Sequence, residues 1–245
     1  MIPDNDDAAR RVPVLDRGFV RCVEFMGGDS GVVDAARVSY GGTSKGAEAD
    51  RKLISYLLKN SHLTPFEHSI FKFHVSAPIF AARQWFRHRF AAYNEISYRY
   101  TQAQQDEFYI PESWRAQDVK NKQGSVAAPD LDHARLTAKF KEQIERSAAL
   151  YEEMIAAGVA REMARMILPV NLYTQFYWTV NARSLMNFVA LRADVHAQLE
   201  IRRYAEALAA IFRKKMPWTY EAFVLHVWRG KNPILEAHAS EVAQS

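Results

Sequence analysis

The chain has 245 residues, 49% hydrophobic and 24% charged, with a formal net charge of +4. That length can bury one substantial core, no apolar run approaches membrane-spanning length, and so small a net charge does not argue for nucleic acid. The single cysteine, Cys22, excludes an intramolecular disulfide and fits a cytoplasmic chain.

Met1 to Asp7 are polar and acidic, unlike a secretory leader. Residues 1–11 are expected to be a disordered leader, 12–230 one domain, and 231–245 a tail. A strand is predicted over Val14 to Phe25, closed by Gly27-Gly28. Within it Cys22 reads as a small buried hydrophobe, since nothing nearby lowers its pKa towards a nucleophile's. Gly31 to Tyr40 reads as a short helix, and Glu48 to Lys59 as a longer one burying Leu53, Ile54, Tyr56 and Leu57. The intervening Gly41 to Gly46 is glycine-rich but lacks the residue order of a phosphate loop. Thr64, with Pro65 next and Glu67 three residues on, makes a capping-box pattern. His62, His68 and His74 are evenly spaced, yet they fall on different elements, and no carboxylate or thiol completes a metal set.

Ile70 to Val75 alternates, placing Phe71, Phe73 and Val75 on one face and Lys72 and His74 on the other, as in a half-buried strand. A helix from Pro78 to Phe86 follows, with Ser76 as its cap. Gln84, Arg87 and His88 are spaced by three and four, which would put them on one helix face. Asn94, Glu95, Ser97 and Arg99 then fall in a segment without apolar periodicity, expected to be a polar loop. Arginine forks match phosphate oxygens two at a time, so the group suits an anionic, planar partner. A solvated basic helix end accounts for the same charges.

Arg87-His88-Arg89, seven residues and then Ser97 resembles the signature of the flavin-dependent thymidylate synthases. Asn94, Glu95 and Arg99 stand where the extended signature has them. Ala92 departs from it, since many members carry serine there.

After Tyr100, Thr101 to Gly124 reads as a long surface excursion of the functional or interfacial kind. Asp130 is predicted to cap a helix running to Ala157, closed by Gly158, with Leu136, Phe140, Ile144, Tyr151 and Met154 as its stripe. A further helix is expected over Ala160 to Leu168. Val170 to Val180 reads as a strand. A helix capped by Asn181 carries Arg183 and Asn187 on one face and is predicted to continue to about Lys215. On it His196 and Glu200 read as a salt bridge. Pro217-Trp218 opens a last short helix. The pattern is α+β: a mostly helical single domain with a small mixed or antiparallel sheet.

The resemblance covers about Val14 to Phe223 and implies the family's fold, a homotetramer and active sites formed between subunits. It implies a catalytic domain that methylates dUMP to dTMP, using FAD, NADPH and methylenetetrahydrofolate, without metal, nucleic acid or membrane. It assigns dUMP binding to Gln84, Trp85, Phe86, Arg87, Glu95, Ile96, Ser97, Tyr98, Arg99, Arg165 and Arg192, with Arg192 catalytic. It assigns FAD binding to Thr64, His68, Arg87, His88, Arg89, Asn94, Glu95, Asn181, Ala182, Arg183 and Asn187. Two other readings of the residues stand beside it. One is an NADPH flavin oxidoreductase indifferent to nucleotide. The other is a non-catalytic nucleotide or RNA binder, suggested by arginines interleaved with Tyr93, Tyr98 and Tyr100.

Overall fold

Two β-branched and aromatic strands, β3 (Ile70–Pro78) and β7 (Tyr173–Asn181), pair antiparallel along their whole length and form the centre of the sheet. In the computed structural model, which describes residues 11–103 and 107–244, β1 (Val12–Val14) and β2 (Gly18–Met26) extend the sheet beyond β3. Strand β4 (Ala92–Glu95) closes its other side, giving the antiparallel order β1-β2-β3-β7-β4. The expected strand over 14–25 is thus a hairpin, broken at Leu15, which takes a left-handed φ of 59°. Residues 1–10 of the expected leader lie outside the described residues; Arg11 stacks over the Phe19 ring at 4.4 Å.

The alternation of β3 holds at its start, where Phe71, Phe73 and Val75 are fully buried. From His74 onward both faces are covered. His74 is held between Arg21 and Gln175, each at 3.0 Å. Against the apolar face pack α6 (Ala182–Arg192), α7 (Leu199–Lys215) and α8 (Pro217–His226), with α1 (Gly28–Arg37) and α2 (Ala47–Lys59) beside them. Helix α2 buries Ile54, Leu57 and Leu58, whereas Tyr56 stands exposed.

Gly18 lies beneath α7, and a Cβ there would collide with the Tyr204 hydroxyl, which donates to Ser76 O at 2.7 Å. Ser76 is therefore a strand residue and not a helix cap. Asp29 of α1 caps α8 across space, accepting from Trp218 N (2.9 Å), Thr219 N (3.0 Å) and Thr219 Oγ1 (2.6 Å), so donors orphaned at a helix start are met by another element.

The region after residue 100 carries its own structure. Phe108 bridges Leu172, and β5 (Arg115–Gln117) pairs with β6 (Ser125–Ala127) in a separate hairpin. The long helix α4 (His133–Ala156) is capped by Asp132, which accepts from Arg135 N, two residues later than the expected Asp130. Gly158 takes φ +84° just beyond its end, the left-handed conformation that glycine adopts without strain. The helix expected over 160–168 splits into α5 (Arg161–Ala164) and a 3₁₀ turn, Arg165–Ile167. The tail is not plain either: α9 (Pro233–Gln244) plants Leu235 in the core. Among the described residues no helix is long and apolar enough to cross a membrane.

Candidate active site

The chain turns at the end of α3 (Ile79–Trp85), and this turn, not a helix face, presents the basic signature. Trp85 is its anchor. Fully buried, it packs against Phe176, Trp178, Phe188 and Tyr204 at ring distances of 4.7–5.7 Å, and truncation of such a side chain costs about 3–5 kcal/mol. Phe86 packs on Tyr93 and Phe176, both at 5.0 Å. The Tyr93 hydroxyl donates to His88 O at 2.7 Å and ties the turn down. Past the anchor, Arg87, His88, Arg89 and Phe90 line a cavity of about 650 Å³.

Helix α6 forms the facing wall. Asn181 Oδ1 accepts from Ser184 N at 2.8 Å and starts the helix as predicted, and Arg183, Asn187 and Arg192 line the same cavity. Its apolar lining comes from Leu58, Leu63, Trp178, Val180, Met186 and Val227. Glu67 is the carboxylate among these lining residues. It meets Arg183 Nη1 at 2.5 Å, in place of the capping box expected with Thr64, whose 3₁₀ helix Thr64–His68 has no side-chain cap.

Arg192 Nε donates to His88 Nε2 at 3.0 Å, and Arg192 Nη2 reaches Gln84 O at 3.4 Å. Burial, then the Arg192 charge, pushes the His88 pKa down to about 4. The Arg192 pKa is itself lowered by burial and by the Arg87 cation. The site thus gathers four cations around one carboxylate and a neutral imidazole, an arrangement that favours an anionic ligand.

The remaining candidate residues stand elsewhere. Gln84 bonds Gln198 through its side chain. Asn94 and Glu95 sit on β4, opposite Tyr177 and Phe176, so the expected polar loop begins as an edge strand. Glu95 accepts from Thr174 Oγ1 at 2.7 Å. Ile96 N donates to Gln175 O, and Ser97 Oγ accepts from Arg99 N at 3.3 Å. Tyr98 is buried, its hydroxyl donating to Tyr173 O at 2.6 Å. Arg99 pairs with Glu162 at 3.6 Å on the surface, and Arg165 is exposed on its 3₁₀ turn. Thr64 and His68 are exposed on the 3₁₀ helix that supplies Glu67. Ala182 is buried and its N–H donates to Ser69 O.

Two sequence readings fail beside the site. The helix carrying Arg192 stops there, and α7 begins only at Leu199. His196 therefore pairs with Asp194 at 2.6 Å, while Glu200 pairs with Arg115. The side chain that sequence reasoning missed is Glu67, whose spacing from Thr64 made it look like a capping partner. Among the described residues no group of three or more His, Cys, Asp or Glu is placed to hold a metal ion.

Residues 21–218 match the family model described as thymidylate synthase complementing protein. The flavin-dependent thymidylate synthase of Thermosipho africanus is 54% identical over 218 residues, covering 89% of this chain and 95% of the relative. That of Thermus thermophilus is 51% identical, covering 89% and 80%. The crystal structure of the UMP/dUMP methylase PolB from Streptomyces cacaoi with 5-Br dUMP superposes with a TM-score of 0.80 at 33% identity, covering 90% of this chain and all of that one.

Proposed function

This chain belongs to the flavin-dependent thymidylate synthase family, and on that footing we propose that it reductively methylates dUMP to dTMP. Methylenetetrahydrofolate is the carbon donor, NADPH the reductant and FAD the flavin. The observation that carries this reading is the cavity in which Arg87, Arg89, Arg183 and Arg192 face apolar walls. Such a donor set suits a planar ring system bearing phosphates.

Arg87, His88, Arg89, Arg183 and Asn187 would hold the flavin, with Thr64 and His68 on the flanking 3₁₀ helix. When bound, it supplies the hydride chemistry that no side chain here can perform. Arg192 presents its guanidinium to the uracil ring and stabilises the negative charge that grows as the ring nitrogen ionises, which makes the ring carbon nucleophilic. Ser97 is a binding group, since no histidine–carboxylate pair activates it. Glu95, Ser97, Arg99 and Arg165 complete the nucleotide site from another subunit of a homotetramer, and the enzyme works in the cytoplasm.

The test is NADPH oxidation by the purified protein with added FAD, with and without dUMP, followed by product analysis after methylenetetrahydrofolate is supplied. Oxidation accelerated by dUMP, with dTMP formed, is the expected result. Oxidation indifferent to dUMP overturns the proposal in favour of a plain flavin oxidoreductase. Steeply salt-dependent RNA binding without flavin overturns it in favour of a binding protein.

A further inference from the structure

We infer that His88 is a positioning residue for Arg192: its neutral imidazole accepts the Arg192 Nε–H and so fixes which edge of the guanidinium faces the cavity. This rests on the reading of Arg192 as the group that meets the nucleotide ring. The geometry constrains the protonation state. An arginine Nε always carries its hydrogen, so at 3.0 Å from Arg192 Nε the His88 Nε2 must offer a lone pair. The ring proton then sits on Nδ1. Phe188, one turn before Arg192 on α6, lies 4.6 Å from the imidazole, ring centre to ring centre, and sets its plane.

The contact removes a freedom that matters. A guanidinium on a long side chain can rotate about Cδ–Nε and offer any of its donors. Here Nε is committed to His88 and Nη2 leans on Gln84 O. No described residue bonds Nη1, so that donor remains for a ligand. The cations facing this spot favour a neutral ring. Arg192 on α6 and Arg87 and Arg89 beside His88 are cations, and Arg183 shares the cavity with Glu67 as its partner. A proton on Nε2 would set two N–H groups and two positive charges head to head and break the contact.

Three variants separate this role from a simple flavin contact. His88→Phe keeps a ring on Phe188 and deletes the acceptor. His88→Gln places a carbonyl oxygen at about the reach of Nε2. Arg192→Ala removes the group being positioned. With dUMP and flavin saturating, His88→Phe is expected to lower kcat roughly ten- to a hundred-fold, the scale of a misplaced catalytic group. His88→Gln is expected to recover most of that loss. The double variant His88→Phe/Arg192→Ala should be no slower than Arg192→Ala alone, because the two act as a unit. A second readout needs no flavin or turnover: ¹⁵N NMR of histidine-labelled protein should show His88 protonated at Nδ1 and bare at Nε2 throughout pH 5–8. A proton found on Nε2 in that range overturns the inference. So does a His88→Phe enzyme as fast as wild type while Arg192→Ala is impaired. If Arg192→Ala itself turns over normally, the proposed part of Arg192 in catalysis falls, and the NMR signature still decides whether His88 holds it.

Discussion

Arg115→Met should unfold more easily by an amount that the buried surroundings of Glu200 allow to be estimated. Glu200 opens α7 at 2% exposure. Arg115 Nη2 meets its two carboxylate oxygens at 2.8 and 3.0 Å, and Tyr109 Oη donates to it at 3.2 Å. Burial raises the pKa of this carboxyl, but the hydrogen bond and charge of Arg115, together with hydrogen bonds from the Glu200 backbone and Gln198, hold the group below its ordinary range. Removing one partner of a buried pair costs about 3–5 kcal/mol. The Arg115 side chain is 22% exposed, so water enters the vacated position and the cost falls at the lower end, about 3 kcal/mol. For a chain of this size that is a drop of roughly 6–12 °C in Tm. A carboxyl whose pKa is depressed by folding contributes stability above its unfolded pKa and loses it as pH falls through the folded one. In the variant, burial is opposed only by the remaining hydrogen bonds from Gln198, Tyr109 and the Glu200 backbone, so the Glu200 pKa rises and the group protonates on mild acidification. The gap between the proteins should therefore narrow as pH falls from about 7 to about 4.5. Calorimetry at matched protein concentration measures it. A gap under about 1 kcal/mol, the scale of an exposed pair, or one that does not change with pH, refutes the reasoning.

Arg192→Ala should lower kcat at saturating dUMP by about two to three orders of magnitude; near-normal turnover in a quenched assay contradicts its assignment. Glu67→Gln should cost less than about 1 kcal/mol, because both partners of its pair with Arg183 are about a third or more exposed. The same change should tighten flavin binding, read by fluorescence quenching, since a competing carboxylate is gone; weaker binding would mean that Glu67 itself serves the ligand. Gly18→Ala should destabilise by about 2–4 kcal/mol, because its methyl displaces the Tyr204 hydroxyl from Ser76 O. An unchanged Tm rejects that close approach.

The fold class and the basic signature were legible because each rests on local pattern. The spacing of Phe71, Phe73 and Val75 on β3 is a period of two, and Asn181 before Ser184 is a cap that needs no distant partner. What stayed hidden depended on contacts far along the chain. Thr64, Pro65 and Glu67 satisfy the letter of a capping box, but the Arg183 guanidinium outcompetes the cap for Glu67. Trp85 sits in sequence among residues that the family resemblance assigns to dUMP, yet its bulk is used against Phe188 and Tyr204. Asn94 and Glu95 looked like loop because an edge strand needs no apolar period on its solvent side. The break between Arg192 and Leu199 carries no proline or glycine, so helical periodicity alone ran straight through it.

How the proposed nucleotide site is completed depends on the path of strand β4. Ala92 pairs with Thr179 near the cavity, and Glu95 pairs with Phe176 and bonds Thr174. The chain therefore leaves the cavity as a strand and carries Glu95, Ser97 and Arg99 towards the far end of β7. From Trp178, which lines the cavity, to Thr174 is four residues, or about 13 Å along the strand. On the proposed assignment, Arg192 serves the same dUMP as Arg99 and Arg165, which a different copy of the chain supplies. Symmetric oligomers allow this, each copy giving one half to one site and the other half to the next. Arg192→Ala and Arg165→Ala should each be nearly inactive alone. After subunit exchange at equal amounts, half the sites receive an intact Arg192 and half of those an intact Arg165, so activity should return to about a quarter of wild type. Native mass spectrometry of differently tagged chains shows whether exchange has occurred. Exchange without recovered activity would mean that both halves come from one chain.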